Sequence, residues 1–360
     1  RCEGRAFERE RLEPRRITDN MTLDEIWAKA REVMAPNCRA CPVCNGKACR
    51  GEIPGVGAMG DGSAWTVCTE FLERVKVRMD TIHEPWEPDT SVELFGVKLA
   101  APLCIAPIGG LNGHNYNGVI STADWSRMEI EGGRSAGVLP FTGDGARGQF
   151  RDGLEAAAAN GGMDVCTVKP WRANSKIIKY GLECAGAGCP AVACDVDAAA
   201  FANMGSAVDS VGPKTVADLR EITGNIPIPF IAKGIMTAEG AVKCAEGGCA
   251  GIIVSTHGGR VITSSQATAE VLPEIRAAVG DALTIIVDGG IRTGADIFKV
   301  LALGADAAMI GRPFVIAAHG GGAEGVELYA NAKIAELKNL MIMANCRTAA
   351  DITPDKVVLN

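Results

Sequence analysis

Side chains suited to proton transfer and anion binding follow four short apolar runs between residues 230 and 314. The runs end at Lys233, at Ser255-Thr256-His257-Gly258-Gly259-Arg260, at Asp288-Gly289-Gly290-Ile291-Arg292 and at Gly311-Arg312-Pro313. A histidine can exchange a proton near neutral pH, and a lysine can stabilise a developing negative charge. Arginines beside glycines can bind an anion through forked charged donors and backbone N–H groups.

The segments between these runs show helical periodicity, over 237–246, 267–279 and 294–303. A repeated order of apolar strand, polar tip and helix indicates the βα unit of a parallel barrel. The first half of the chain supplies four further strands, over 102–106, 138–142, 164–168 and 191–195. The sequence therefore predicts an α/β fold, a (β/α)8 TIM barrel, whose reactive groups gather at the C-terminal strand ends.

The tips Asp288–Arg292 and Gly311-Arg312 follow the seventh and eighth predicted strands, where such barrels often bind phosphate. We interpret them as a phosphate-binding site formed by glycine backbone, a helix N-terminus and two arginines. The alternative is that the glycines only form turns and that the arginines are solvated.

An N-terminal helical and cysteine-rich extension, residues 1–95, precedes the barrel, which with a C-terminal helix is predicted over 96–360. Residues 1–20 are charged and aperiodic and are interpreted as an arm. Thr22-Leu-Asp-Glu25 has the pattern of a capping box, so a helix is expected from about Leu23 to Met34.

Four cysteines then fall within twelve residues, at Cys38, Cys41, Cys44 and Cys49. The spacing of the first three cysteines matches runs that hold an iron–sulfur cluster. Part of the run also resembles a zinc knuckle. Free thiols or a redox disulfide are the alternatives without a metal, and the sequence leaves these alternatives open.

Composition narrows the classes of partner. The chain has 360 residues and a net charge of −7, which gives no indication of a nucleic-acid surface. No apolar run reaches the length of a membrane span and the start is charged, so a cytoplasmic protein without membrane contact is expected. Fourteen cysteines in such a chain are expected to be thiols or metal ligands rather than disulfides.

The four C-terminal motifs, in this order, resemble the FMN-dependent α-hydroxy acid oxidases and dehydrogenases, which include glycolate oxidase and lactate oxidase. The resemblance covers the C-terminal third well and the first half of the barrel weakly. It implies FMN as cofactor, a small-molecule substrate and a homo-oligomer, a tetramer or octamer. The cofactor-binding residues it implies are Pro107, Ile108 and Gly109 facing the flavin, Lys233 near N1 and O2, and Ser255, Asp288, Gly289, Gly290, Arg292, Gly311 and Arg312.

By the same resemblance, His257 is the catalytic base, Asp195 orients it, and Arg260 binds the substrate carboxylate. The implied activity is oxidation of a 2-hydroxy acid to the 2-oxo acid, with hydride transfer to flavin N5. The sequence departs from the family where a Phe-Gln-Leu-Tyr run would follow strand three, because the chain has Lys169-Pro-Trp171 there. His114 and Tyr116 are expected either to line the mouth or to be ordinary loop residues.

The tyrosine that the resembling family has after strand three is missing here, so other functions remain open. One alternative is a reductase of an unsaturated or keto substrate, supplied with electrons by NAD(P)H or by a metal centre at the four cysteines. Another is a redox-sensing protein that binds flavin or metal. The phosphate-binding tips alone would also suit a barrel that handles phosphosugars without flavin.

Overall fold

Eight parallel strands close a barrel in the computed structural model, which describes residues 21–52, 56–111, 116–145, 148–200 and 210–360. The predicted arm and His114 lie outside the described residues. Around the barrel the order is β10-β11-β4-β5-β6-β7-β8-β9. The barrel strands are β4 (Leu103–Ile105), β5 (Leu139–Thr142), β6 (Val165–Val168), β7 (Val192–Asp195), β8 (Phe230–Lys233), β9 (Gly251–Val254), β10 (Thr284–Val287) and β11 (Ala307–Ile310). The predicted (β/α)8 barrel is confirmed.

Side chains alternate across each strand, so every second residue points into the barrel. The inward positions carry Ala193, Ile231, Ile253, Ile286 and Met309, which form one buried apolar cluster. Two short antiparallel strands, β2 (Val92–Leu94) and β3 (Val97–Leu99), add Leu94 and Leu99 to that cluster. The barrel interior is therefore a packed core, and its open end lies at the strand C-termini.

Helices follow the strands and pack on the outer face. They are α3 (Thr122–Ala136), α4 (Gln149–Ala159), α5 (Asn174–Gly186), α6 (Val216–Gly224), α7 (Ala238–Glu246), α8 (Leu272–Val279), α9 (Gly294–Ala302) and α10 (Arg312–Met343). Capping boxes begin α6 and α9, where Thr215 pairs with Asp218 and Thr293 with Asp296. None of the described helices has the length and apolar character needed to cross a membrane.

The last helix, α10, begins at Arg312 and continues past the glycines at 320–322. Gly322 interrupts it with a positive φ of 62°. A Cβ on Gly320 would lie 2.1 Å from the backbone oxygen of Ile26, so the glycine allows the N-terminal helix to approach closely. The glycine run thus serves packing within a bent helix rather than ending it.

The N-terminal segment packs against the barrel. Helix α1 (Leu23–Val33) begins with the predicted capping box of Thr22 and Glu25 and contacts α10. Helix α2 (Ser63–Arg74) leads into β1 (Val75–Val77), which pairs antiparallel with the C-terminal strand β12 (Val357–Leu359). One apolar cluster contains residues from both the extension and the barrel helices.

Candidate active site

Strand alternation brings five polar side chains to the open end of the barrel. Each lies two or four residues beyond an inward core residue of its own strand, and each is buried. They are Lys169, Asp195, Lys233, Ser255 and Asp288. Because neighbouring parallel strands pair in register, Asp195 of β7 lies directly beside Lys233 of β8.

Two lysines neutralise the buried carboxylate of Asp195. Lys233 Nζ lies 3.0 Å from Asp195 Oδ1, and Lys169 Nζ donates to Asp195 Oδ2. Burial alone would raise the pKa of Asp195, but Lys169 and Lys233 outweigh it and hold the pKa well below its usual range. Burial would likewise lower the pKa of Lys233, but the carboxylates of Asp195, Asp197 and Asp288 raise it. Both groups are therefore charged at neutral pH.

His257 lies at the same end and is held on several sides. Its Nδ1 is 2.9 Å from Asp197 Oδ1 and 3.4 Å from Lys233 Nζ. Its backbone N–H donates to Ser255 Oγ at 2.9 Å, and that hydroxyl donates to Asp288 Oδ2 at 2.8 Å. The backbone of His257 has φ 55°, which is uncommon for a residue with a side chain and typical of functional sites.

The assignment of Asp195 as the partner of His257 needs correction. Asp195 Oδ1 lies 3.9 Å from His257 Nδ1, whereas Asp197 makes the 2.9 Å contact. Asp197 falls in the short turn after β7, two residues beyond the strand end. The sequence analysis chose the aspartate at the end of β7, whereas the residue in contact with His257 comes two positions later in the chain.

Sequence reasoning also missed Lys169 as a member of this cluster. Counting every second residue from Val165 along β6 reaches Thr167 and then Lys169, so strand periodicity alone would have pointed it inward. Its backbone N–H also donates to Asp144 Oδ2 at 3.0 Å. Burial raises the pKa of Asp144 to about 6, although Lys169 opposes the shift.

The two predicted phosphate-binding tips lie on adjacent strands, β10 and β11. Gly289 and Gly290 have φ of 98° and 77°, and a Cβ on Gly290 would lie 2.6 Å from the backbone of Cys68 in α2. These glycines therefore also permit close packing of α2. Gly311 precedes α10, whose N-terminus has no side-chain cap and can receive an anion.

Arg292 and Arg312 were predicted to bind phosphate, but in this structure their side chains contact backbone carbonyls. Arg292 Nε donates to the carbonyl of Cys44 at 2.7 Å. Arg312 donates to the carbonyls of Val56 and Gly57, both at 2.8 Å, and its guanidinium stacks 3.7 Å from the ring centre of Trp65. These hydrogen bonds hold the N-terminal segment against the two tips. The positive charges of both arginines therefore lie beside the anion site, although some of their N–H groups already donate to carbonyls.

The tip after β4 carries Pro107, Ile108 and Gly109, all at the open end of the barrel. A Cβ on Gly109 would lie 2.6 Å from Gln149 Oε1, and that oxygen accepts from the N–H of Gly110 at 3.0 Å. Gln149 is a further residue that sequence reasoning missed. It shapes the backbone of this tip from the start of α4.

Arg260 lies near Arg312 rather than beside Lys169 and Lys233. Burial and the charge of Arg312 lower the pKa of Arg260 to about 10. Its Nη1 lies 3.4 Å from the carbonyl of Gly57. A desolvated pair of arginines favours a bound anion such as a carboxylate. Tyr116 is buried, tilts against the ring of His319 at 5.8 Å, and lines the pocket of the N-terminal cysteines.

Cys38, Cys41, Cys44 and Cys49 are partly buried free thiols that line one pocket. Burial raises the pKa of Cys38 to about 11, and the other three thiols add to the shift. The four thiols, which are close in the sequence, therefore also share one pocket in the fold.

The chain is similar to known proteins over most of its length. A family profile described as FMN-dependent dehydrogenase matches residues 56–211 and 202–359. L-lactate oxidase from Lactobacillus jensenii is 44% identical over 147 residues, which cover 41% of this chain and only 35% of that protein. 4-Hydroxymandelate oxidase from Amycolatopsis orientalis is 27% identical over 350 residues, covering 84% of this chain and 93% of the relative.

A solved structure shares the fold. Mandelate oxidase with 3,3-difluoro-2-hydroxy-3-phenylpropionic acid superposes with a TM-score of 0.75 at 24% identity, over 93% of this chain and 98% of that chain. Its barrel has the same architecture as the one described above.

The residues at the open end fit FMN, the cofactor of this family. Asp288 Oδ1 is buried and has no hydrogen-bond partner among the described residues, so it lacks a donor such as a sugar-alcohol hydroxyl would supply. The uncapped start of α10 offers N–H groups to a phosphate. Lys233 supplies a fixed positive charge of the kind that stabilises an anionic reduced flavin. With the profile match and the barrel architecture, these features lead to one conclusion: the chain belongs to the FMN-dependent dehydrogenase family.

Proposed function

We propose that this protein oxidises a 2-hydroxy acid to the corresponding 2-oxo acid. When bound, FMN supplies the acceptor for the hydride that leaves the substrate Cα. The observation that carries the proposal is the 2.9 Å contact between His257 Nδ1 and Asp197 Oδ1 at the open end of the barrel. A histidine held by a carboxylate is the arrangement that proton abstraction from a hydroxyl requires.

The tautomer of His257 follows from its neighbours. An ionised carboxylate only accepts hydrogen bonds, so the short contact with Asp197 places the proton on Nδ1. Lys233 is further away, at 3.4 Å, and its closer contact is with Asp195 at 3.0 Å. The lone pair therefore lies on Nε2, which takes the hydroxyl proton, and Asp197 stabilises the imidazolium that forms.

The other charges have separate roles. Arg260 binds the substrate carboxylate, in the positive field that it shares with Arg312. The positive charge of Lys233 would stabilise negative charge on bound FMN. Asp195, which also contacts Lys169, keeps Lys233 in place. No proton needs to move between Lys233 and Asp195, because both are charged at neutral pH.

Anaerobic mixing of FMN-loaded protein with single 2-hydroxy acids, including lactate, glycolate and mandelate, tests the proposal. We expect at least one of them to bleach the flavin absorbance rapidly and to yield its 2-oxo acid in equal amount. If every 2-hydroxy acid leaves the flavin oxidised while NADH or NADPH bleaches it, the proposal is wrong.

A specific observation favours a second candidate, a reductase that takes electrons from NAD(P)H. Lys169 occupies the tip where the resembling enzymes have a tyrosine. Its side chain is buried against Asp195, so this tip offers no phenol hydroxyl to a substrate. Flavin reduction by NADPH, followed by reoxidation with an unsaturated or keto acid, would select this candidate.

A further inference from the structure

The cysteine loop, residues 38–49, converges on one pocket. Cys38, Cys41, Cys44 and Cys49 all line it, together with Trp65 and Arg312. The backbone of the loop has positive φ at Ala40 and Gly46, of 39° and 81°. The N–H of Ala40 donates to Cys38 Sγ at 3.4 Å, the kind of backbone contact that stabilises a metal-bound thiolate.

The spacing of the sulfurs bears on the choice between a single ion and a cluster. Zinc with four thiolates has Zn–S bonds of about 2.3 Å, so its sulfurs lie roughly 4 Å apart. Among the described residues, the only three cysteine sulfurs within 4.8 Å of one another are those of Cys166, Cys184 and Cys189. The loop cysteines share a pocket without meeting that limit. Ligands that attach to different metal atoms of one cluster are held further apart.

The surroundings suit a negatively charged centre. Arg312 lines the pocket, and Arg292 donates to the carbonyl of Cys44 at 2.7 Å. A cluster held by four thiolates carries net negative charge, which nearby guanidinium groups stabilise. The aromatic ring of Trp65 also lines the pocket, and an apolar wall of this kind favours such a centre.

We propose that Cys38, Cys41, Cys44 and Cys49 ligate an iron–sulfur cluster. The first three have the C-x2-C-x2-C spacing of cluster-binding runs, and the pocket brings Cys49 to the same place as the fourth ligand. The site adjoins the residues that we assign to the cofactor phosphate, through Arg292 and Arg312. It does not depend on the proposed hydroxy acid chemistry.

Protein purified without oxygen tests the proposal by iron, zinc and acid-labile sulfide analysis, with EPR after dithionite reduction. We expect iron and sulfide in equal amounts, about four of each per chain for a four-cysteine [4Fe–4S] cluster, and an EPR signal from the reduced cluster. Chelator-treated protein should regain both after incubation with iron and sulfide. Zinc at one per chain, or no metal after reconstitution, would overturn the proposal.

Matched variants locate the site. Cys41→Ser and Cys44→Ser should each lose most of the iron, whereas Cys189→Ala should retain it, because Cys189 belongs to the separate buried group. Retained FMN and circular dichroism establish that the variants are folded. If the loop variants fail to fold, reconstitution of the wild-type protein still decides the outcome. Iron lost with Cys189→Ala but kept in both loop variants would contradict the assignment.

Discussion

Buried carboxylates occur in two regions of this barrel, and their pKa values are shifted in opposite directions. At the open end, Asp195 contacts Lys233 and Lys169, and its pKa is held low. On the helix-facing side, Glu129 of α3 and Asp164 before β6 are both fully buried, and burial raises both pKa values well above the ordinary range. Neither carboxylate oxygen of Glu129 has a hydrogen-bond partner among the described residues.

The difference lies in which neighbours the fold supplies. Inward positions of adjacent strands bring two lysines to Asp195, so ionisation is favoured there despite burial. Asp164 faces outward, and within the described part of the chain its donors are weak and neutral, from Thr142 at 3.4 Å and Cys166 at 3.7 Å. The first region therefore stabilises an ionised carboxylate, whereas burial in the second disfavours ionisation.

The largest expected effect is on the rate of flavin reduction. His257→Ala removes the proposed base and should slow reduction by a 2-hydroxy acid by about 10²–10⁴-fold. Glu129→Gln is the control, because it alters only the helix-facing region and should reduce its flavin at the wild-type rate. Stopped-flow absorbance under anaerobic conditions measures both. Near-normal reduction by His257→Ala would remove the base role.

Unequal effects on stability should follow from matched aspartate substitutions. Asp195→Asn leaves two buried lysines without their shared carboxylate and should lower the free energy of unfolding by about 3–5 kcal/mol. Asp164→Asn replaces an acid whose pKa is raised by burial, so its ionised form is disfavoured, and it should change the free energy of unfolding far less. Urea denaturation at a fixed FMN concentration compares the two. Equal losses would mean that the two regions do not differ as described.

The corrected partner of His257 predicts a smaller kinetic effect. Asp197→Asn keeps the shape but removes the charge that stabilises the imidazolium, a hydrogen bond to a charged group worth about 1.5–3 kcal/mol. We expect flavin reduction to slow by roughly 10–100-fold, with a changed pH dependence because the proton affinity of His257 falls. If Asp197→Asn leaves the rate and its pH profile unchanged, Asp197 does not position the base.

The smallest effect concerns the pH dependence of stability. Because the folded-state pKa of Glu129 is raised, its contribution is fully present below the unfolded pKa of about 4.3 and is lost as pH rises towards the folded pKa. Glu129→Gln lacks this loss. It should match the wild type near pH 4 and exceed it by at least about 1 kcal/mol at neutral pH, since one pKa unit is worth about 1.4 kcal/mol. A constant difference across pH would contradict this account.

Local patterns identified much of the fold. The capping box of Thr22 and Glu25 and the barrel strands, to within a residue or two, follow from short-range chemistry. The positions of Lys233 and His257 at strand ends followed in the same way. The roles of Arg292 and Arg312 were less accessible, because their carbonyl partners lie more than two hundred residues away in the chain.

The sequence by itself determined which residues lie at the strand ends, since apolar alternation and glycine tips are read along one segment at a time. Only the tertiary structure decided which of them touch. The register between β7 and β8 pairs Asp195 with Lys233, and the turn beyond β7 then carries Asp197 to His257. Closure of the barrel sets both contacts, because it fixes distances between segments that are far apart in sequence.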